Sequence, residues 1–464
     1  MSRDPLPVPV SSIMDAAEPS DSKLLIKLDE KWFKQKILTG STEVKRLPRD
    51  QALELKREAE QLLASDTSVY RKSLDKGMRK SEFDWIWKVL KTGALADKLS
   101  ANSLLNQDSA VHNLTSLKVM LQLCQAKGKR EYLLASEHLK ELLLADVLPP
   151  FKLRNFAELA VTMPSTGRER SIHLILSYYE DQLKFLYKEF IDTIEKMSHD
   201  PVVATKNKSI YLMYELLANK PEQEQLLLSH MANKLGDPCP KAASHALHLL
   251  NKLVTSDHPA MKEVVAKEVE RVLFRANIKE RTQYRCLCLF QGLRLSLADQ
   301  SLANRLMEIY FSFFTKCIKT GDVNNKTMSV ILSGVTRALP YSSMGKAAVK
   351  KHMDTFYKLI HLVNTGIAIQ VFVLVLQVVS SPANRRHNSD ESSEKLTDRF
   401  LSSLYRFLLK QDLFQSSTRM PMFFNLLFRA LKCDNQTCRV YAFVKRLLQV
   451  RFFFTSSLLE VSFV

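Results

Sequence analysis

Cys286 and Cys288 in YRCLCLF, and His245 and His248 in ASHALHLL, are the residue pairs whose types and spacing come closest to metal or thiol chemistry. Neither pair completes a site. Two cysteines two apart on a helix point to different faces, and no C-x-x-C occurs. The two histidines have no acidic or cysteine partner at ligand spacing. Phosphate-cradling glycine loops of the G-x-x-x-x-G-K-[ST] or G-x-G-x-x-G type are absent, as is a G-x-S-x-G nucleophile elbow. No catalytic residue, metal ligand or cofactor is expected, and the chain reads as a non-enzyme.

The remaining chemistry is that of cations. The formal charge is +18, and residues 301–464 hold 22 Lys and Arg against 10 Asp and Glu. Such an excess favours polyanionic partners, RNA or DNA first among them. Arg271, Arg275, Lys279, Arg281 and Arg285 recur through RVLFRANIKERTQYR and define a candidate basic ridge; an ordinary solvated face is the competing explanation. Arg337, Lys350 and Lys351, then Lys445 and Arg446 in AFVKRLLQV, are further candidates. There is no zinc-finger spacing and no basic region running into leucine heptads, so phosphate contact is favoured over base reading.

These charges need a framework, and its composition is helical. Glycine is scarce, at 11 in 464 residues, and strong helix formers dominate. Prolines at 201, 221, 240 and 259 fall in steps of 20, 19 and 19, each followed by apolar residues at spacings of three and four. Proline at a helix start costs no hydrogen bond, so the spacing predicts four helices between 200 and 275. Two helices per unit gives a period close to that of HEAT and armadillo repeats. The fold class expected is all-α, an α-solenoid of such repeats, with an irregular helical bundle as the alternative. Further helices are expected over 81–92, 109–127, 130–145, 170–197, 280–298, 301–319, 324–339, 346–364 and 366–380, then from 396, near 417–432 and over 436–450.

Residues 1–22, rich in Pro, Ser and Asp, read as a disordered N-terminus, and 23–47 as a candidate docking segment around Trp32, Phe33, Ile37 and Leu38. The repeat array is expected over 48–380 and a flexible linker over 381–395. Residues 396–450 form C-terminal helices, and 451–464 a divergent, apolar, β-prone tail. The seven scattered cysteines read as reduced thiols. The first residues lack a signal peptide's pattern, and the run from Ile367 to Val379 is too short to span a bilayer, so no membrane partner is expected.

FDWIWKVLKTG at 83–93, ADKLSANSLLNQDSAVHNL at 96–114, the long run from PEQEQLLL to VERVLFRAN at 221–277, SGVTRALPY at 333–341 and RVYAFVKRLLQ at 439–449 resemble, in that order, the CCAAT-binding-factor (CBF/Mak-type) family of nucleolar-complex proteins. The resemblance covers residues 25–450. It implies a helical-repeat scaffold of the nucleus and nucleolus that works on early large-subunit precursors. The partners implied are another nucleolar-complex protein, as a heterodimer, and pre-ribosomal RNA of the pre-60S particle. An alternative implied function is that of a CCAAT-box transcriptional activator, reaching promoter DNA indirectly. Against the family pattern, residues 396–450 read as a truncated CBF domain and the chain as a shortened or alternative form.

Overall fold

The computed structural model describes residues 24–28, 30–35, 47–76, 80–126, 128–159, 167–320, 324–343, 349–380, 391–410, 413, 420–434 and 436–453. Among them there is no strand. The chain divides into two compact units, Met1–Lys234 with Cys239–Ala246, and Leu235–Pro238 with Leu247–Val464. The fold is an all-α helical-repeat solenoid built from α1 (Arg49–Lys76), α2 (Lys80–Thr92), α3 (Leu95–Asp108), α4 (Leu114–Cys124), α5 (Lys129–Leu142), α6 (Phe156–Leu159), α7 (Arg168–Met197), α8 (Val203–Asn219), α9 (Glu224–Asn233), α10 (Pro240–Lys252), α11 (Lys262–Leu273), α12 (Glu280–Gly292), α13 (Gln300–Thr320), α14 (Asn325–Ala338), α15 (Met353–Leu362), α16 (Thr365–Val379), α17 (Glu391–Phe407), α18 (Met420–Lys432) and α19 (Thr437–Phe453).

The four proline-spaced helices are α8 to α11. Pro240 opens its helix, where its missing donor would have had no acceptor in any case, and Pro259 opens a short 3₁₀ turn ahead of α11. Two helices end in a widened π turn, at Leu143–Val147 after α5 and at Leu253–Asp257 after α10.

In the first unit α7 is the spine. It packs against α1, α4, α6 and α8, and buries Tyr179, Tyr187 and Phe190 almost completely. Gly167 precedes it at φ +87°, ψ −164°, a conformation closed to residues with a Cβ. The extended stretch before α6 has no helical partners for its amides. Two buried carboxylates of α7 supply them: Glu180 accepts from the N–H of Arg154 at 2.7 Å, and Asp181 from that of Phe156 at 3.1 Å.

The N-terminal segment docks on this unit. Trp32 is 3% exposed. Its indole N–H donates to the Val147 carbonyl at 2.8 Å, while Lys31 donates to that of Ala145 at 2.7 Å. Both acceptors lie in the π turn, whose carbonyls have lost their helical donors. The segment expected over 23–47 therefore lies against its own chain through residues 24–28 and 30–35; Ile37 and Leu38 fall outside the described residues.

In the second unit the helices pair as α11 with α12, α13 with α14, α15 with α16 and α17 with α16, while α12, α14, α16 and α18 touch in succession. That is the two-row packing of a helical repeat. α16 is apolar on nearly every side because α14, α15, α17 and α18 surround it. No described helix is long and apolar enough to cross a membrane.

Five expectations change. Residues 95–108 are helical though no helix was expected there, and the element expected over 109–127 is the shorter α4. α12 stops at Gly292 rather than 298: Leu293 takes an extended backbone, and Asp299 then closes a turn by accepting from the N–H and hydroxyl of Ser296. The linker expected over 381–395 is helical from Glu391, and α19 continues to Phe453 where a β-prone tail was expected. Residues 1–22, 381–390 and 454–464 lie outside the described residues.

Candidate nucleic-acid interface

The ten cations singled out in the sequence divide by what their side chains already hold. Arg285 is half-buried and donates to the Leu235 carbonyl at 3.0 Å, tying α12 to the 3₁₀ turn Lys234–Gly236. Arg337, in the last turn of α14, donates to the Gln291 carbonyl at 2.6 Å and so caps the end of α12. Arg446 lays its guanidinium over the Tyr405 ring, 5.0 Å from the centroid. Arg271 pairs with Glu268 at 2.9 Å on its own helix, an exposed contact of little energetic consequence. Arg275, Lys279, Arg281, Lys350, Lys351 and Lys445 are exposed.

Along the ridge expected from Arg271 to Arg285, Arg271, Arg275, Lys279 and Arg281 are exposed, the last three in and just after the turn joining α11 to α12, while Arg285 faces inward.

Phe274 stands at the start of that turn with 53% of its surface exposed. It separates two grooves. One, of about 530 Å³, lies between α11 and α13 and carries Glu263, Glu270 and Glu308 with Lys267 and Arg305. Its charges largely cancel, since Arg305 meets Glu270 at 2.5 Å and Lys267 meets Glu263 at 2.7 Å. The other, of about 420 Å³, is lined by Phe274, Arg275, Asn277, Gln283, Phe313 and Lys316, among others, and by no carboxylate. Phe274 and Phe313 pack with centroids 5.7 Å apart, and Lys316 lies 5.9 Å from the Phe313 centroid. Asn277 adopts φ +58°, the left-handed conformation that asparagine tolerates, and so turns the chain between the two helices.

A second cluster escaped sequence reading. Ser109 Oγ lies 2.7 Å from His112 Nδ1, and His112 Nε2 lies 3.1 Å from Asp66 Oδ2. The connectivity is that of a hydrolase triad. Its setting is not: all three residues are under 9% exposed, and Asp66 also accepts from the Leu25 N–H at 2.9 Å. The cluster ties the N-terminal segment, α1 and the α3–α4 turn together. Ser109 and His112 are three apart, but Asp66 lies 46 residues earlier on another helix, which left no local signal.

Burial pushes the Cys124 and Cys286 thiols up to about 12, which leaves them protonated and unreactive. None of the seven cysteines is in a disulfide. Among the described residues no group of three or more His, Cys, Asp or Glu is placed to hold a metal ion.

Residues 368–461 match the CBF/Mak21 family. Over 434 residues the chain is 38% identical to CCAAT/enhancer-binding protein zeta of Homo sapiens, covering 92% of this chain and 40% of that protein. It is 31% identical over 450 residues to ribosome biogenesis protein NOC1 of Chaetomium thermophilum, covering 85% of this chain and 42% of the relative. To nucleolar complex protein 1 of Drosophila melanogaster it is 32% identical over 384 residues, 80% of this chain and 32% of the relative. The chain therefore spans 40% of the human relative's length. The family match runs from residue 368 to 461, a wider span than the 396–450 expected from the motifs.

Proposed function

Residues 368–461 match the CBF/Mak21 family, and on that premise we propose that the chain is a non-catalytic scaffold in the assembly of the large ribosomal subunit. It works in the nucleus and nucleolus, paired with another nucleolar-complex protein and in contact with pre-ribosomal RNA. The observation that carries this reading is similarity along 80% or more of the chain to relatives named for ribosome biogenesis and for a nucleolar complex. A basic, stacked-helix surface supports it, because such arrays bind partners over broad faces. The exposure of Arg275, Lys279, Arg281, Lys350, Lys351 and Lys445 supports phosphate contact by these cations.

A second reading is a transcriptional coactivator, favoured by the human relative's name. The absence of a base-reading motif places it behind the first and routes it through another DNA-bound factor. Sedimentation of the tagged chain from nuclear extract separates the two. Co-migration with large-subunit precursors is expected; recovery on promoter chromatin alone would overturn the scaffold reading.

A further inference from the structure

We propose that the groove beside Phe274 holds a nucleotide of single-stranded RNA, with the base stacked on Phe274 and the flanking phosphates on Arg275 and Lys316. The inference rests on the RNA-associated scaffold reading and assigns it a place on this chain. A phenylalanine with 53% of its surface in water, at the lip of a concavity, has an aromatic face to offer. Every base has a π-face, so such a platform accepts unpaired bases regardless of sequence. A duplex keeps its bases stacked on one another and cannot supply one. The groove's volume of about 420 Å³ lies within the range of small-ligand sites, roughly 300–1,000 Å³.

Charge selects this groove over its neighbour. Across Phe274 the cations Lys267 and Arg305 are already taken up by Glu263 and Glu270, with Glu308 in addition, whereas Arg275 and Lys316 attract phosphate and no carboxylate lines their side. Lys279 and Arg281, both exposed, extend the positive field along the strand. The Asn277 and Gln283 amides line the same wall and offer donors and acceptors to a base edge.

The test measures binding of a short fluorescein-labelled oligouridylate to the full chain by anisotropy, with an RNA duplex and a polyglutamate peptide as competitors. Phe274→Ala should weaken oligouridylate binding roughly tenfold, the scale of one lost base stack. Phe274→Trp should preserve it, and neither variant should change the melting temperature. Arg275→Glu with Lys316→Glu should reduce the log–log salt slope by about 1.4, two phosphates at about 0.7 each. Wild-type binding that is tight but indifferent to Phe274→Ala would overturn the groove while leaving the scaffold reading intact. Absence of wild-type binding would overturn both. Polyglutamate competing as well as RNA would reduce the site to a generic anion surface and likewise overturn the proposal.

Discussion

His112 lies flat against Tyr70, ring centroids 4.6 Å apart and planes 10° from parallel. The stack places the imidazole between Ser109 and Asp66, and the Tyr70 hydroxyl reaches onward to Asp108 at 2.6 Å. His112→Ala would leave a buried carboxylate and a buried hydroxyl without that partner. Breaking a buried polar cluster in this way costs roughly 3 kcal/mol. Urea denaturation followed by far-UV circular dichroism reads the loss, and a change below about 1 kcal/mol would show that the cluster carries little stability.

Trp32→Ala should release the N-terminal segment. Truncating a buried tryptophan costs roughly 3–5 kcal/mol, more than a short extended strip holds from its remaining contacts. Trypsin should then cut at Lys27, Lys31 or Lys34 well before it cuts within the helices. Equal rates in the wild type and the variant would mean that Lys31 and Leu25 suffice to hold the strip.

Much of this framework is legible in the sequence, and the failures have causes in particular residues. The prolines mark where α8 to α11 begin: Pro240 is the first residue of its helix, and Pro201, Pro221 and Pro259 stand two or three residues ahead of theirs. α3 escaped because its buried face carries Asn102 and Asn106, which an apolar stripe counts as surface. Both are hydrogen-bonded to Ser116 of α4, at 2.6 and 2.9 Å. α12 was extended too far because Leu297 continues the stripe although it is 85% exposed. For the cations, sequence gave sign and position but not direction. Arg285 and Arg337 had to be seen in three dimensions to be recognised as caps on Leu235 and Gln291.

That distinction separates two charge reversals. Lys350→Glu with Lys351→Glu should weaken RNA binding uniformly across sequences and lower the salt slope by up to about 1.4. Arg337→Glu should act on stability instead, by uncapping α12. Thermal melting and anisotropy on the same preparations check both, and a binding loss without a melting change in Arg337→Glu would contradict the capping role.

His352 stacks on Phe311 with centroids 5.0 Å apart, and burial, then the Lys351 charge, holds its pKa below the ordinary histidine value. The unfolded chain therefore takes up this proton first as pH falls. Stability from this group is complete above about pH 6.5, declines below it, and levels off beneath the lowered folded pKa. His352→Phe keeps the stack and removes the titration, so its stability should fall less between neutral and mildly acidic pH. Parallel curves for the two proteins would refute the assignment.

The docking of Trp32 also sets a schedule for the ribosome that makes this chain. The indole needs a carbonyl 115 residues further on and the Tyr179 ring beyond that. At roughly 5–20 residues per second, synthesis reaches Tyr179 some 7–30 s after Trp32 is polymerised. For that interval the Trp32 segment waits, with its indole uncovered, for a spine that does not yet exist. Nascent-chain crosslinking should find Trp32 in the hands of chaperones during this window and lose it once α7 has left the exit tunnel.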